Sequence, residues 1–232
     1  MAKKTITNSK NEDCYNMITN QLAQYYAVNA DQYDQVYAQE ARFDDLDDLQ
    51  EMIAELLEGH KVLELACGTA YWTELIADVA ESVHATDIVP EMLALAETRG
   101  LDEDVVTFGP LDAFDLPESN GQYTAVFAAG WWSHVKREDQ EKYLKQMRSK
   151  LGKDILLVLL DYGYVDNFTT PIARTDAEGN TYQILTADDG QRYEIMKNYP
   201  TDSALRKKLV PHGREIRIER LEYYYLLSCR LK

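Results

Sequence analysis

Cysteine is scarce. There are three in 232 residues, Cys14, Cys67 and Cys229. The number is odd, they lie far apart and no CxxC occurs, so neither a disulfide framework nor a zinc site is expected, and a reducing cytoplasm fits. Basic residues are also few, 24 Lys and Arg against 40 Asp and Glu, for a formal net charge of -16. Such a surface repels phosphate backbones and argues against bulk nucleic-acid binding, while leaving room for a small anion in a local basic pocket. No apolar run approaches the ~20 residues that cross a bilayer. The opening MAKKTITNSK has two lysines and no apolar segment, so no signal peptide is expected either.

Glycine is missing where a phosphate-binding loop needs it. The stretch VLELACGTAYW, residues 62–72, runs from an apolar strand through a small-residue turn into a helix, an arrangement that often holds a nucleotide. A dinucleotide fold wants G-x-G-x-x-G so that backbone can approach a pyrophosphate. In the frame that begins at Gly68, Ala70 and Thr73 occupy the other two places, and bulky Tyr71 and Trp72 crowd the helix start. A P-loop lysine is absent as well. Pyrophosphate binding is disfavoured.

What is present is an alternation. Apolar and aromatic residues recur at helical spacing over residues 15–37 (Ile18, Leu22, Tyr25, Tyr26, Tyr33, Tyr37), with a break near 29–31, and again over about 44–58. KVLELAC, SVHATDI, VVTFGPL, YTAVFAAG and DILLVLLD then read as strands. Helices are predicted between them, at AYWTELIADVA, at PEMLALAETR with proline in its first turn, and at about 137–151. DILLVLLD is apolar on both faces, as a central parallel strand requires. This alternation predicts a doubly wound α/β sheet. After Asp161, residues 162–180 read as loop, TYQILTADDGQRYEIMK as a β-hairpin around a DDG turn, 201–202 as a helix start, and EIRIERLEYYYLLSCRL as two strands.

The pattern Glu64-x-Ala66-x-Gly68-x-Ala70, with an acidic residue inside a strand end, resembles the first motif of class I S-adenosylmethionine-dependent methyltransferases. It departs from the usual pattern by having alanine at two of the three glycine places. Further matches follow in order. Asp87 ends the second strand about 20 residues on, where an acidic group accepts from ribose hydroxyls, followed by Ile88 and Met92. LDAFDLP brings Asp112, Ala113 and Phe114, and FAAGWWSHV brings Gly130, Trp131, Trp132 and His134. The N-terminal tyrosines, with Asp34 after Tyr33, resemble the helical lid of small-molecule members.

The resemblance implies S-adenosyl-L-methionine as cofactor on a mostly parallel seven-stranded sheet. Residues 14–58 would be the lid, 59–161 the cofactor core, 162–200 a substrate cap and 201–232 the closing helix and strands of a single domain. Glu64 would face the ligand's ammonium group, directly or through water. Asp87 would hold the ribose, Ile88 and Met92 the adenine face, and Asp112 the adenine amino group beside Ala113 and Phe114. Ala66, Gly68, Trp72, Gly130, Tyr25 and Tyr33 complete the cofactor set, with Arg42 on the methionine carboxylate. Trp131, Trp132 and Tyr182 (in the run GNTYQ, which with the pair Lys197–Asn198 also resembles family members) are substrate candidates. So are Arg174 and Arg192, for which solvated loop charges are an equally open reading. His134 and Tyr26 are the candidate proton-handling groups, with a bracing role for His134 as the alternative.

The expected reaction is methyl transfer to a nitrogen, oxygen or sulfur of a small molecule, by a cytoplasmic monomer or homodimer without metal, nucleic acid or membrane partner. Two other readings are open, cyclisation of S-adenosylmethionine itself with release of methylthioadenosine, and a non-catalytic binding protein.

Overall fold

The structure, a computed structural model, describes residues 21–119 and 121–232. The predicted start of the first helix, with Tyr15 and Ile18, lies outside these residues, as does Cys14. Residues 21–28 are helical, and the predicted break is real: the chain turns at Asn29 and continues as the 3₁₀ segment Ala30–Val36.

From there the elements follow as α1 (Phe43–Leu57), β1 (Lys61–Leu65), α2 (Tyr71–Ala77), β2 (Ser82–Asp87), α3 (Pro90–Glu97), β3 (Val106–Pro110), β4 (Ala125–Ala129), α4 (Gln140–Leu151), β5 (Leu156–Tyr162), β6 (Ile172–Thr175), β7 (Thr181–Thr186), β8 (Arg192–Met196), α5 (Asp202–Leu209), β9 (Gly213–Arg220) and β10 (Tyr224–Leu231). Seven strands form one sheet in the order β3-β2-β1-β4-β5-β10-β9. The first five pair in parallel and β10 runs antiparallel to both its neighbours.

Because side chains alternate across a strand, the central strands feed two cores. Leu63, Leu65, Val126, Ala128, Leu157 and Leu159 pack on one face with Leu144 and Met147 of α4 and Leu205 and Leu209 of α5. Val62, Phe127, Val158 and Leu160 pack on the other with Leu49 and Ile53 of α1 and Ile76 of α2. Both faces are covered, which is why β5 reads as one unbroken apolar run.

The segment after β5 differs from expectation. Residues 162–180 are not all loop, and the cap is a three-stranded antiparallel sheet, β6-β7-β8, instead of a hairpin. All four residues of β6 are exposed, so that strand has no buried face and leaves no apolar alternation to read. Residues 21–28 sit between this cap and the main sheet, with Leu22 and Tyr25 against Tyr193 and Ile195 of β8.

Candidate functional site

The sheet order reverses between β1 and β4, and the carboxyl ends of open α/β strands at such a point form a ligand crevice. Here the crevice is an apolar hollow. Its floor is Ala66 and Gly68 after β1, its β2 side is Asp87, Ile88 and Met92, and its β3 side is Asp112, Ala113 and Phe114. Gly130, Trp131 and His134 close it from β4, and Tyr26 and Tyr33 cover it. Val89, Leu111, Leu22 and Ala23 also line it. None of these four is a site candidate from sequence, since an apolar residue at helical or strand spacing reads first as core.

The turn is strained in a regular way. Ala66, Gly68 and Ala70 all lie in the left-handed region, at φ 53°, 58° and 65°, which costs a non-glycine residue about 1–2 kcal/mol. The three alternating small residues thus share one backbone conformation, which glycine or alanine can adopt and bulkier residues resist. A Cβ on Gly68 would meet Tyr33 Cε1 at 3.6 Å and Met92 Sδ at 4.0 Å, ordinary contacts, so the penalty there is backbone alone. Gly68→Ala should lower stability by about 1 kcal/mol, roughly 2–4 °C in Tm for a chain this long, as thermal unfolding will measure. A Tm unchanged in Gly68→Ala would place the strain elsewhere.

Asp87 is 6% exposed; its Oδ2 accepts from Gly68 N at 2.9 Å and its Oδ1 from Val89 N at 2.8 Å. Burial raises its pKa, opposed by backbone N–H groups. Asp112 Oδ1 accepts from Phe114 N at 2.9 Å. Ile88 is 46% exposed although it lines the hollow. This lining fits a nucleoside: an acceptor carboxylate at a strand end for the ribose, the apolar side chains of Ile88, Met92 and Phe114 for the faces of an aromatic base, and Gly68 after β1.

Glu64 is placed differently from expectation. It is 1% exposed, does not line the hollow, and accepts from Thr73 Oγ1 at 2.7 Å, pinning the first turn of α2. Its strand position turns it beneath the glycine turn rather than above it. Burial pushes its carboxyl up to about 8, against roughly 4.3 in an unfolded chain. Between those values the folded state holds a proton that the unfolded state has lost, so the contribution is full below about pH 4 and falls away as pH rises towards 8. Glu64→Gln should therefore flatten the loss of stability over about pH 5–8, measured by urea unfolding across that range. An unchanged slope would mean that Glu64 is ionised throughout.

Other expected site residues also sit elsewhere. Trp72 packs in the core, edge-on to Tyr37 and Tyr71, because its helix position faces the sheet. Trp132 is 1% exposed in the opposite core; of the tryptophan pair only Trp131 reaches the hollow. Arg174 forms two hydrogen bonds to Glu194 across the cap and lies 3.5 Å over the Tyr182 ring. Tyr182 donates to Asp176 at 3.0 Å. These four satisfy one another within the cap, and Arg192 is exposed at the start of β8.

Tyr25 and Arg42 line a second, larger hollow of about 650 Å³ beneath the cap, together with Tyr162, Lys197 and Tyr199. Tyr26 and Tyr33 belong to both hollows.

At that shared wall His134 is 5% exposed. Its Nδ1 lies 2.6 Å from Met196 O, and a carbonyl only accepts, so the proton is on Nδ1. Nε2 then accepts from the Tyr26 hydroxyl at 3.2 Å. Burial, then the nearby Lys197, lowers His134 to about 3, and burial raises Tyr26 well above 10. Both groups are neutral at neutral pH. The 3₁₀ segment Ala30–Val36 is tied to the glycine turn through Asp34, which takes Arg99 Nη2 at 2.6 Å and the Thr69 hydroxyl.

The runs GNTYQ and Lys197–Asn198 each supply a buried asparagine. In the structure Asn180 and Asn198 are 0% and 2% exposed and join the cap to the loop after β4. Asn180 Oδ1 accepts from Arg137 N at 2.8 Å, Asn198 Oδ1 from Thr181 N at 3.1 Å, and Asn198 N donates to Ser133 O at 2.9 Å.

Residues 62–154 match the family model described as a methyltransferase domain. Among solved structures, the DhpI–SAH complex is 26% identical, over 92% of this chain and 97% of that one, with a TM-score of 0.71. The DhpI–SAM–HEP complex is 24% identical over the same shares, with a TM-score of 0.74. The PH0226 protein from Pyrococcus horikoshii OT3 is 16% identical over 84% and 92%, with a TM-score of 0.67, and shares the fold. No curated protein sequence matches the chain. Among the described residues, no helix is long and apolar enough to cross a membrane.

Proposed function

We propose that this chain, whose residues 62–154 match a methyltransferase domain, is a class I S-adenosylmethionine-dependent methyltransferase and methylates a nitrogen, oxygen or sulfur of a small molecule held in the larger hollow. The observation that carries this is the wall formed by Tyr26 and Tyr33, which both hollows share. A cofactor seated on Gly68 and Asp87 and an acceptor beneath the cap would meet at that wall.

When bound, the cofactor supplies an electrophilic methyl group on a sulfonium. The work of this chain is to place the attacking atom in line at ~3–3.5 Å and to keep water out. Asp87, Asp112, Ile88, Met92 and Phe114 hold the nucleoside in this reading. Tyr26 and Tyr33 present rings where positive charge is carried, which favours a cation. The Tyr26 hydroxyl donates its hydrogen bond to His134 Nε2, so its oxygen lone pairs are free to accept from an acceptor N–H or O–H. His134, held at about 3, is a weak base. The pair therefore orients an acceptor better than it ionises one.

The test is mass spectrometry of the purified protein with S-adenosylmethionine, alone and then with a metabolite extract. The expected result is no turnover alone, and S-adenosylhomocysteine together with one methylated metabolite when the extract is present. Methylthioadenosine from the cofactor alone would replace methyl transfer with cyclisation.

A further inference from the structure

The inner end of the larger hollow holds two cations. Lys197 Nζ lies 4.0 Å from the centroid of the Tyr162 ring, and Arg42 Cζ lies 5.3 Å from the same centroid. Arg42 is also 5.1 Å from the Phe168 ring and 5.5 Å from the Tyr224 ring, and its Nη1 donates to the Tyr224 hydroxyl at 3.1 Å. Among the described residues neither side chain forms an ion pair, and the buried Arg42 Nε has no hydrogen-bond partner. Gathering two like charges around one ring costs free energy unless an anion joins them.

The acidic groups nearby do not supply that anion in full. The Asp161 carboxylate acts on Lys197, but its oxygens already accept from Ser133 N at 2.7 Å and Tyr162 N at 2.8 Å. Asp188 lines the hollow at its exposed rim. Asp45, near Tyr223 and Tyr224 as Arg42 is, already accepts from Glu222 N at 3.4 Å and Tyr223 N at 2.7 Å. A third donor is also present. Tyr199 Oη accepts from Gln183 Nε2 at 2.9 Å, which leaves the Tyr199 hydroxyl proton to give.

We propose that the acceptor carries an anionic oxygen group, a carboxylate or a phosphoryl monoester, seated between Arg42 and Lys197 with Tyr199 as a further donor. This rests on the methyl-transfer reading above and deepens it. The subsite belongs to the acceptor, because Arg42 and Lys197 line the larger hollow and not the one that holds Asp87. It takes over the role of anion binding for which Arg174 and Arg192 were the sequence candidates.

Calorimetric titration of the S-adenosylhomocysteine-loaded protein with benzoate, phenyl phosphate and the neutral benzamide tests this, and separates carboxylate from phosphoryl acceptors. At least one anion should bind about tenfold tighter than benzamide, and lose about tenfold in Lys197→Met and in Arg42→Gln, while Lys197→Arg retains binding. Affinity for S-adenosylhomocysteine should hold within about twofold in all three variants, which also reports their folding. Neither anion binding, benzamide matching both, or a tenfold loss of S-adenosylhomocysteine affinity in Arg42→Gln with anion binding intact would each overturn the subsite. So would methylation of an extract metabolite that proceeds unimpeded under saturating anion, and that result would leave methyl transfer itself standing.

Discussion

Replacing Asp87 by alanine should weaken S-adenosylhomocysteine binding at least about tenfold, which is about 1.4 kcal/mol. Two losses combine in this variant. In the cofactor placement proposed here, the carboxylate is the acceptor for the ribose hydroxyls, and hydrogen bonds to a charged group are worth about 1.5–3 kcal/mol each. The same carboxylate also holds Gly68 N at 2.9 Å, and so fixes the left-handed turn on which the cofactor would rest. Asp87→Asn keeps one acceptor for the backbone and should lose less. Asp112→Ala should lose less again, because Asp112 already holds Phe114 N at 2.9 Å and is offered only one amino group. Calorimetry on the three variants checks the order, with Tm as the control for folding. An Asp87→Ala protein of unchanged affinity would place the nucleoside elsewhere.

The order of these effects follows from features that a sequence displays unevenly. The parallel sheet was legible because β1, β4 and β5 are apolar on both faces and each ends in a small-residue or polar turn. Asp87, Asp112 and Gly130 were findable because strand ends are the places where this topology presents side chains. Glu64 was findable as a residue but not as a contact. A carboxylate one step further back along the strand turns under the helix to Thr73, and spacing alone does not tell above from below. Tryptophans mislead for a related reason. Trp72 and Trp132 are large enough to be pocket walls, yet each sits where a core needs filling.

Arg42 and Lys197 lie far apart in the chain and meet only over the Tyr162 ring, so no local pattern joins them. The cap's third strand was invisible because it buries nothing.

Asn198→Ala should cost about 2–4 kcal/mol. The side chain is 2% exposed. Its Oδ1 accepts from Thr181 N at 3.1 Å and Arg137 Nε at 3.3 Å, and its Nδ2 donates to Asn180 Oδ1 at 3.2 Å and Val135 O at 3.4 Å. Truncation strands these partners in a buried site, and each unsatisfied group costs about 1–3 kcal/mol, discounted for relaxation and for the longer contacts. At roughly 2–4 °C per kcal/mol the Tm should fall by about 5–15 °C. The bonds run between the cap and the loop that carries Trp131 and His134, so the effect should be uneven. Hydrogen exchange should rise in β7 and β8 well before it rises in β4 and β5. S-adenosylhomocysteine binding should survive below the new Tm, since Asp87 and the glycine turn keep their own supports. Loss of Tm without selective exchange in the cap would show that Asn198 stabilises the whole fold, not the joint between cap and sheet.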